Sequence, residues 1–211
     1  MSKSFIVAGT DTNVGKTILS SVLMAAHDDL QYWKPIQSGL EEKTDTETVR
    51  DLSECSAVRI FPEAYKLHRP LSPHLSARLD GVSIDIEQLQ KPNAEHLIIE
   101  TAGGVLTPIN ESTLQIDLIK MWSLPVLIVA RSLLGTINHT LLTIEALRQR
   151  NIEIAGVIMI GESNPENEKA IGYYGKIKML GRIPPLEDLN RETLRNTYKD
   201  HFFSLENIFA N

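Results

Sequence analysis

Short apolar runs rich in β-branched residues recur along the chain, with longer polar-and-apolar stretches between them. Strands are expected at 4–8 (Ser-Phe-Ile-Val-Ala), 31–34 (Gln-Tyr-Trp-Lys), 96–100 (His-Leu-Ile-Ile-Glu), 125–130 (Pro-Val-Leu-Ile-Val-Ala), 154–160 (Ile-Ala-Gly-Val-Ile-Met-Ile) and 178–181 (Lys-Met-Leu-Gly). Continuous apolar runs bounded by turn residues suit strands covered on both faces. Helical stretches fall at 15–27, 45–54, 72–80, 85–91, 112–122, 136–150, 165–175 and 187–199. The clearest is 136–150, where Ile137, Leu141, Ile144 and Leu147 form one apolar stripe. Arg148 and Arg150 lie at its negative end. Alternating strands and helices predict an α/β fold of three layers, α/β/α, around a mainly parallel sheet. The stretch 61–73 carries three prolines and reads as a loop and a helix entry. With no repeat, low-complexity tract or linker in view, residues 1–211 are expected to form a single domain.

The first strand runs directly into Gly9-Thr-Asp-Thr-Asn-Val-Gly-Lys-Thr17. A strand, a glycine-containing loop ending in Gly-Lys-Thr, and then a helix is the context of a phosphate-binding loop. Thr10 stands where the usual motif has its first glycine, and Gly9 lies one residue earlier, so the loop is a variant. Small residues let successive backbone N–H groups wrap an anion, and the helix that follows points its positive end at it. In that setting Lys16 bridges phosphates and the Thr17 hydroxyl reaches Mg²⁺. The fold is therefore expected to be a P-loop nucleotide-binding one.

In open parallel sheets ligands sit beyond the carboxyl ends of the strands. The second strand ends in Lys34-Pro-Ile-Gln-Ser-Gly39, and Pro35 holds Lys34 extended. The third ends in Glu100, followed by Thr-Ala-Gly-Gly104. Asp45 opens a helix. Taken alone, Lys34 reads equally as a solvated lysine, and Asp45 reads first as an N-cap. Glu100 stands where a nucleoside triphosphatase holds its magnesium, and the glycines after it make a capping or surface carboxylate the less attractive reading. Later strands are followed by Gly135-Thr-Ile-Asn-His139, Gly161-Glu-Ser-Asn-Pro165 and Arg182-Ile-Pro-Pro-Leu186, so turn and polar residues gather on one rim.

Composition narrows the partners. The 211 residues are 42% hydrophobic and 23% charged, with a net charge of −6, which excludes wholesale disorder and a global basic footprint for nucleic acid. No polybasic run marks a membrane surface, and no apolar run reaches the length of a membrane helix. Cys55 is the one cysteine and the six histidines show no ligand-like pairing, so neither an internal disulfide nor a zinc cluster is expected. The N-terminus has no signal-peptide pattern, which points to the cytoplasm and deprives the Asn110 and Asn138 sequons of meaning.

The loop at 9–17, Lys34–Gly39, Pro70-Leu-Ser-Pro-His74, Glu100–Gly104, Gly135–His139 and Leu180-Gly-Arg-Ile-Pro184, in that order, resemble dethiobiotin synthetase from residue 5 to about 186. The resemblance implies an ATP-dependent cyclo-ligase that is a homodimer. It joins 7,8-diaminononanoate (7,8-diaminopelargonate) and CO₂, or bicarbonate, to give dethiobiotin, ADP and phosphate. Lys16 and Lys34 would be its catalytic residues. Asn13, Val14, Gly15, Lys16, Thr17 and Ile18 would hold ATP, together with Glu100, Thr101, Ala102 and Gly103. Gly161, Pro184, Pro185 and Leu186 would meet the nucleobase. Thr17, Asp45 and Glu100 would hold Mg²⁺, and Thr12 and Ser38 the diamine or its carbamate. Asn138 of the other chain would meet the substrate carboxylate.

This chain departs from the family pattern at Asn13, where glutamate is common, and at Thr101, where glycine is. Ile160-Gly161 replaces a nucleobase-reading asparagine. Two other P-loop classes compete. A cobyrinate-type amidotransferase would carry a glutaminase domain with a motif cysteine, which Cys55 lacks. A partition-type switch ATPase would carry a second lysine near the loop start, and none stands between Gly9 and Asn13.

Overall fold

The computed structural model describes residues 4–202. Its main sheet has seven strands: β1 (Phe5–Gly9), β2 (Gln31–Trp33), β4 (Ile60–Phe61), β6 (Leu97–Gly104), β7 (Val126–Arg131), β8 (Ile154–Ile160) and β9 (Met179–Ile183). They lie in the order β4-β2-β6-β1-β7-β8-β9, and every pairing is parallel. Two short strands, β3 (Ile36–Ser38) and β5 (Tyr65–Leu67), pair in parallel as a separate ribbon. The helices are α1 (Lys16–Ala26), α2 (Asp45–Ser53), α3 (Pro73–Asp80), α4 (Gln115–Trp122), α5 (Thr136–Gln149), α6 (Pro165–Gly175) and α7 (Arg191–His201).

Successive strand residues point to opposite faces, so apolar runs feed two cores at once. Ile6, Ala8, Trp33, Leu97, Ile99, Val126, Ile128 and Val157 face the core that also holds Trp122 of α4 and Ile144 and Leu147 of α5. Phe5, Val7, Tyr32, Ile98, Leu127, Val129 and Ile158 face the core formed with α1, α2 and α7. The expected three-layer α/β/α architecture is present, and the sheet is wholly rather than mainly parallel. Trp122 is fully buried, meets Trp33 edge-on at 5.9 Å between ring centroids, and donates its indole N–H to the Leu89 carbonyl at 2.7 Å.

Several local expectations are corrected. The stretch 61–73 is not only loop, because β5 lies within it and pairs with β3 through Ile36–Tyr65, Gln37–Lys66 and Ser38–Leu67. The expected helix at 85–91 is a 3-10 turn, Ile86–Leu89, capped by the Asp85 carboxylate. The last helix begins at Arg191 rather than 187, where Asn190 accepts from the Thr193 amide. The third expected strand runs on to Gly104, with a register irregularity against β1 between Val7 and Gly9. Glu100 therefore sits inside β6 and not at its end. Cys55 is buried.

The register sets up the site. Tyr32 pairs with Ile98, and both face α1. Two residues on, the same alternation turns Lys34 and Glu100 to that face, at the carboxyl rim of the sheet.

Candidate active site

The loop after β1 reaches α1 through Asn13 and Gly15, at φ 57° and 99°. Asparagine tolerates the left-handed region, and glycine enters it without steric cost. At Gly15 a side chain is also blocked, since a Cβ would stand 3.0 Å from Ile160. No side chain caps α1, whose N-cap is Gly15. Its first backbone N–H groups therefore remain for an anion. Lys16 folds back over the loop and donates to the Asp11 carbonyl at 3.1 Å. Burial lowers its pKa to about 8, helped by the Lys34 ammonium, while Glu100, Asp45 and Asp11 pull the other way.

Lys34 is 4% exposed and is not the solvated lysine of the simpler reading. Its ammonium lies 2.7 Å from Asp45 Oδ2 and 3.1 Å from Glu100 Oε1, and donates to the Thr101 carbonyl at 3.1 Å. Burial opposes its charge, but Glu100 and Asp45 outweigh burial and hold its pKa above the ordinary lysine value. Burial likewise opposes the Asp45 charge, and Lys34 and Thr17 overcome it, keeping that carboxyl below its ordinary value.

Asp45 is not the N-cap. Thr44 is, in a reciprocal capping box with Glu47, which leaves Asp45 as the first helical residue. Its carboxylate is thereby free to meet Thr17, whose hydroxyl lies 2.9 Å away. Gln37 fastens this corner by accepting from the Asp45 amide at 3.2 Å and donating to the Ser38 and Gly39 carbonyls.

Thr17 Oγ1 lies 2.9 Å from Asp45 Oδ1 and 2.8 Å from Glu100 Oε1. A hydroxyl has one proton, so it cannot donate fully to both carboxylates. Three oxygen donors thus converge with more acceptor capacity than protons, which fits a hard cation such as Mg²⁺.

These groups line a cleft of about 980 Å³. The structure brings together there Thr12, Asn13, Gly15, Lys16, Thr17, Ile18, Lys34, Ser38, Asp45, Glu100, Ala102 and Gly103. Ser38 Oγ is buried with no hydrogen-bond partner among the described residues. Val14 and Thr101 lie beneath the surface instead, Val14 in the core and Thr101 bonded to the Val7 carbonyl. Gly161, Pro184, Pro185 and Leu186 lie apart, at the adjoining ends of β8 and β9, where the Gly161 amide donates to the Ile183 carbonyl. Asn138 is exposed on the first turn of α5 and is not among the residues lining the cleft.

Sequence reasoning gave no site role to Gln37 or to the Pro70–Pro73 wall, although both lie in stretches that carry the resemblance, and it missed Thr107, whose hydroxyl fills the space beside Gly103. For Gln37 the signal was its place between Lys34 and Ser38. The Thr44–Glu47 box was also readable, as Thr-x-x-Glu.

A family model described as an AAA domain matches residues 3–193. The ATP-dependent dethiobiotin synthetases BioD of Brucella melitensis and Brucella ovis are each 50% identical over 203 residues, 96% of this chain and 95% of theirs. The chain belongs to the dethiobiotin synthetase family. Among solved structures, the Pyrococcus furiosus cell division ATPase MinD superposes with a TM-score of 0.57 at 13% identity, over 99% of this chain and all of that one. MinD of Pyrococcus horikoshii, solved with Mg-ADP, gives 0.54 at 12%, over 93% and 86%. At such identities the likeness concerns the fold alone. The sheet and helices share the fold of those two ATPases.

The Lys16 environment yields a pH prediction. Its ammonium is present below about pH 8 and is lost above it, whereas a phosphate ligand favours the charged form. ATP affinity is expected to be level near pH 7 and to weaken above pH 8, by up to about tenfold per pH unit, with uptake of a proton. Calorimetry in buffers of different ionisation heat measures both. A wild-type profile that stays level through pH 9.5, or one that Lys16→Met reproduces, contradicts the assignment.

Proposed function

We propose that this chain is an ATP-dependent dethiobiotin synthetase, acting as one nucleotide-binding unit on 7,8-diaminononanoate and CO₂. The observation that carries the reading is the juxtaposition of two buried lysines with the Thr17–Asp45–Glu100 oxygens, beside a second, Ser38-lined part of the same cleft. A phosphate loop alone accounts for nucleotide binding. The Lys34–Ser38 segment adds a cation and an unpartnered hydroxyl where a second substrate would lie.

In the reaction, one amine and CO₂ form a carbamate, losing a proton to solvent. A carbamate oxygen attacks the γ-phosphorus and ADP departs. The second amine then attacks the carbonyl carbon of the carbamic–phosphoric anhydride, closing the cyclic urea, expelling phosphate and releasing a proton to it or to solvent. Phosphoryl transfer asks mainly for alignment and charge neutralisation. The loop amides and Lys16 hold the β- and γ-phosphates, while Lys34 supplies positive charge where the carbamate meets the phosphorus. Thr12 and Ser38 orient the diamine end. Thr17, Asp45 and Glu100 would hold Mg²⁺, which neutralises phosphate charge when bound. The nucleobase would meet Gly161, Pro184, Pro185 and Leu186 beyond β8 and β9.

A homodimer completes the reading. Leu106 and Leu142 are exposed beside a second cavity of about 300 Å³ that also touches Thr10–Thr12 of the phosphate loop. A second copy seated there would cover the leucines and bring its Asn138 toward the substrate. The chain is expected to sediment as a dimer, and Leu142→Glu to shift it to monomer with a raised KM for the diamine. A wild-type monomer with full activity contradicts this arrangement.

The partition-type switch reading has only the shared fold behind it. The two are separated by an assay of ATP turnover with each component omitted. Turnover is expected to need Mg²⁺, diamine and bicarbonate together. Lys34→Ala is expected to keep ATP binding but lower kcat by about 10²–10³, and Lys16→Ala to weaken ATP binding as well. Full turnover with ATP and Mg²⁺ alone would favour the switch, and loss of ATP binding in Lys34→Ala but not Lys16→Ala would reverse the two roles.

A further inference from the structure

Glu100 is 1% exposed, and its two oxygens have different surroundings. Oε1 faces Thr17 Oγ1 at 2.8 Å and the Lys34 ammonium at 3.1 Å. Oε2 faces inward and accepts from Ser20 Oγ at 2.7 Å and from the Tyr32 hydroxyl at 3.1 Å. Ser20 and Tyr32 are both fully buried, and neither lines the cleft.

Their positions follow from the periodicities of the elements that carry them. Ser20 stands three residues after Thr17 on α1, on the same helix face. Tyr32 stands two residues before Lys34, on the same side of its strand. Each residue that meets the front of Glu100 thus has a hydroxyl-bearing neighbour at its back. Both hydroxyls sit at the margin of an otherwise apolar core, where an unbonded one would be costly.

We propose that Ser20 and Tyr32 are positioning residues that confine Glu100 to one coordinating oxygen, Oε1, and so favour Mg²⁺ over Ca²⁺ in the cleft. The inference rests on the reading of Thr17, Asp45 and Glu100 as Mg²⁺ holders. Mg²⁺ is small and octahedral and is satisfied by single carboxylate oxygens together with phosphate and water. Ca²⁺ takes more ligands and commonly both oxygens of one carboxylate. Hydrogen bonds to an ionised carboxylate are among the strong ones. With two on Oε2, turning that oxygen outward breaks both. Removing the hydroxyls frees Oε2 and relaxes the preference.

The test is equilibrium binding of Mn²⁺, followed by electron paramagnetic resonance, to the chain saturated with a non-hydrolysable ATP analogue. Mg²⁺ and Ca²⁺ are then used as competitors. Wild type is compared with Tyr32→Phe, Ser20→Ala, the double variant and Glu100→Gln. The ratio of Ca²⁺ to Mg²⁺ affinity is expected to rise by about tenfold in the double variant, the scale of one lost hydrogen bond to a charged group. Each single variant is expected to give a smaller rise, while nucleotide affinity without metal stays unchanged. If the single variants melt as wild type does and keep its ratio, or lose both metals equally, the hydroxyls only fill the core and the inference is overturned. If Glu100→Gln binds Mn²⁺ as wild type does, the metal assignment itself is wrong and the inference goes with it.

Discussion

The Lys34 ammonium, held between the Asp45 and Glu100 carboxylates, is the interaction on which the cleft depends. It joins three elements that are far apart in sequence: the end of β2, the middle of β6 and the first turn of α2. Through Thr17 it also reaches α1. Glu100 is buried and Asp45 is about a third exposed, and two carboxylates gathered on one ammonium repel each other. The cation between them makes the arrangement tenable. Removing Lys34 would leave the buried Glu100 carboxylate without its cation, a destabilising change. The same cluster therefore supports local structure and gathers the chemical groups of the proposed reaction.

The sheet explains why these groups meet. β1 lies between β6 and β7, so the chain that leaves its carboxyl end enters a crevice flanked by the ends of both neighbours. The phosphate loop occupies that crevice. On one side, β6 and β2 bring Glu100 and Lys34 to the face that α1 covers. On the other, Ile160 of β8 packs against the position of Gly15 and limits what that position can carry. The β3–β5 ribbon then carries the Ser38 segment over the cleft, with Pro70–Pro73 as its far wall.

Much of this was legible in the sequence. All six expected strands and seven of the eight expected helices exist, because long apolar runs and periodic stripes are strong signals. The strands that escaped, β3, β4 and β5, have two or three residues each and owe their form to tertiary pairing more than to pattern. The phosphate loop could be read because its chemistry is local. Lys34 could not be read as buried, because its two counter-charges come from residues 45 and 100. The cap on α2 was placed one residue late, since threonine and aspartate both cap well and only the reciprocal bond with Glu47 decides between them. Ser20 and Tyr32 carried no sequence signal, for a hydroxyl within an apolar run gains meaning only when Glu100 is folded against it.

The most direct measurement of the central claim follows the carbon atom. The chain is incubated with 7,8-diaminononanoate, Mg-ATP and ¹³C-bicarbonate, and the products are followed by carbon NMR and mass spectrometry. The account predicts a labelled ureido carbonyl that accumulates one for one with ADP and phosphate. ADP and phosphate appearing at full rate with no label in a cyclic urea would contradict it.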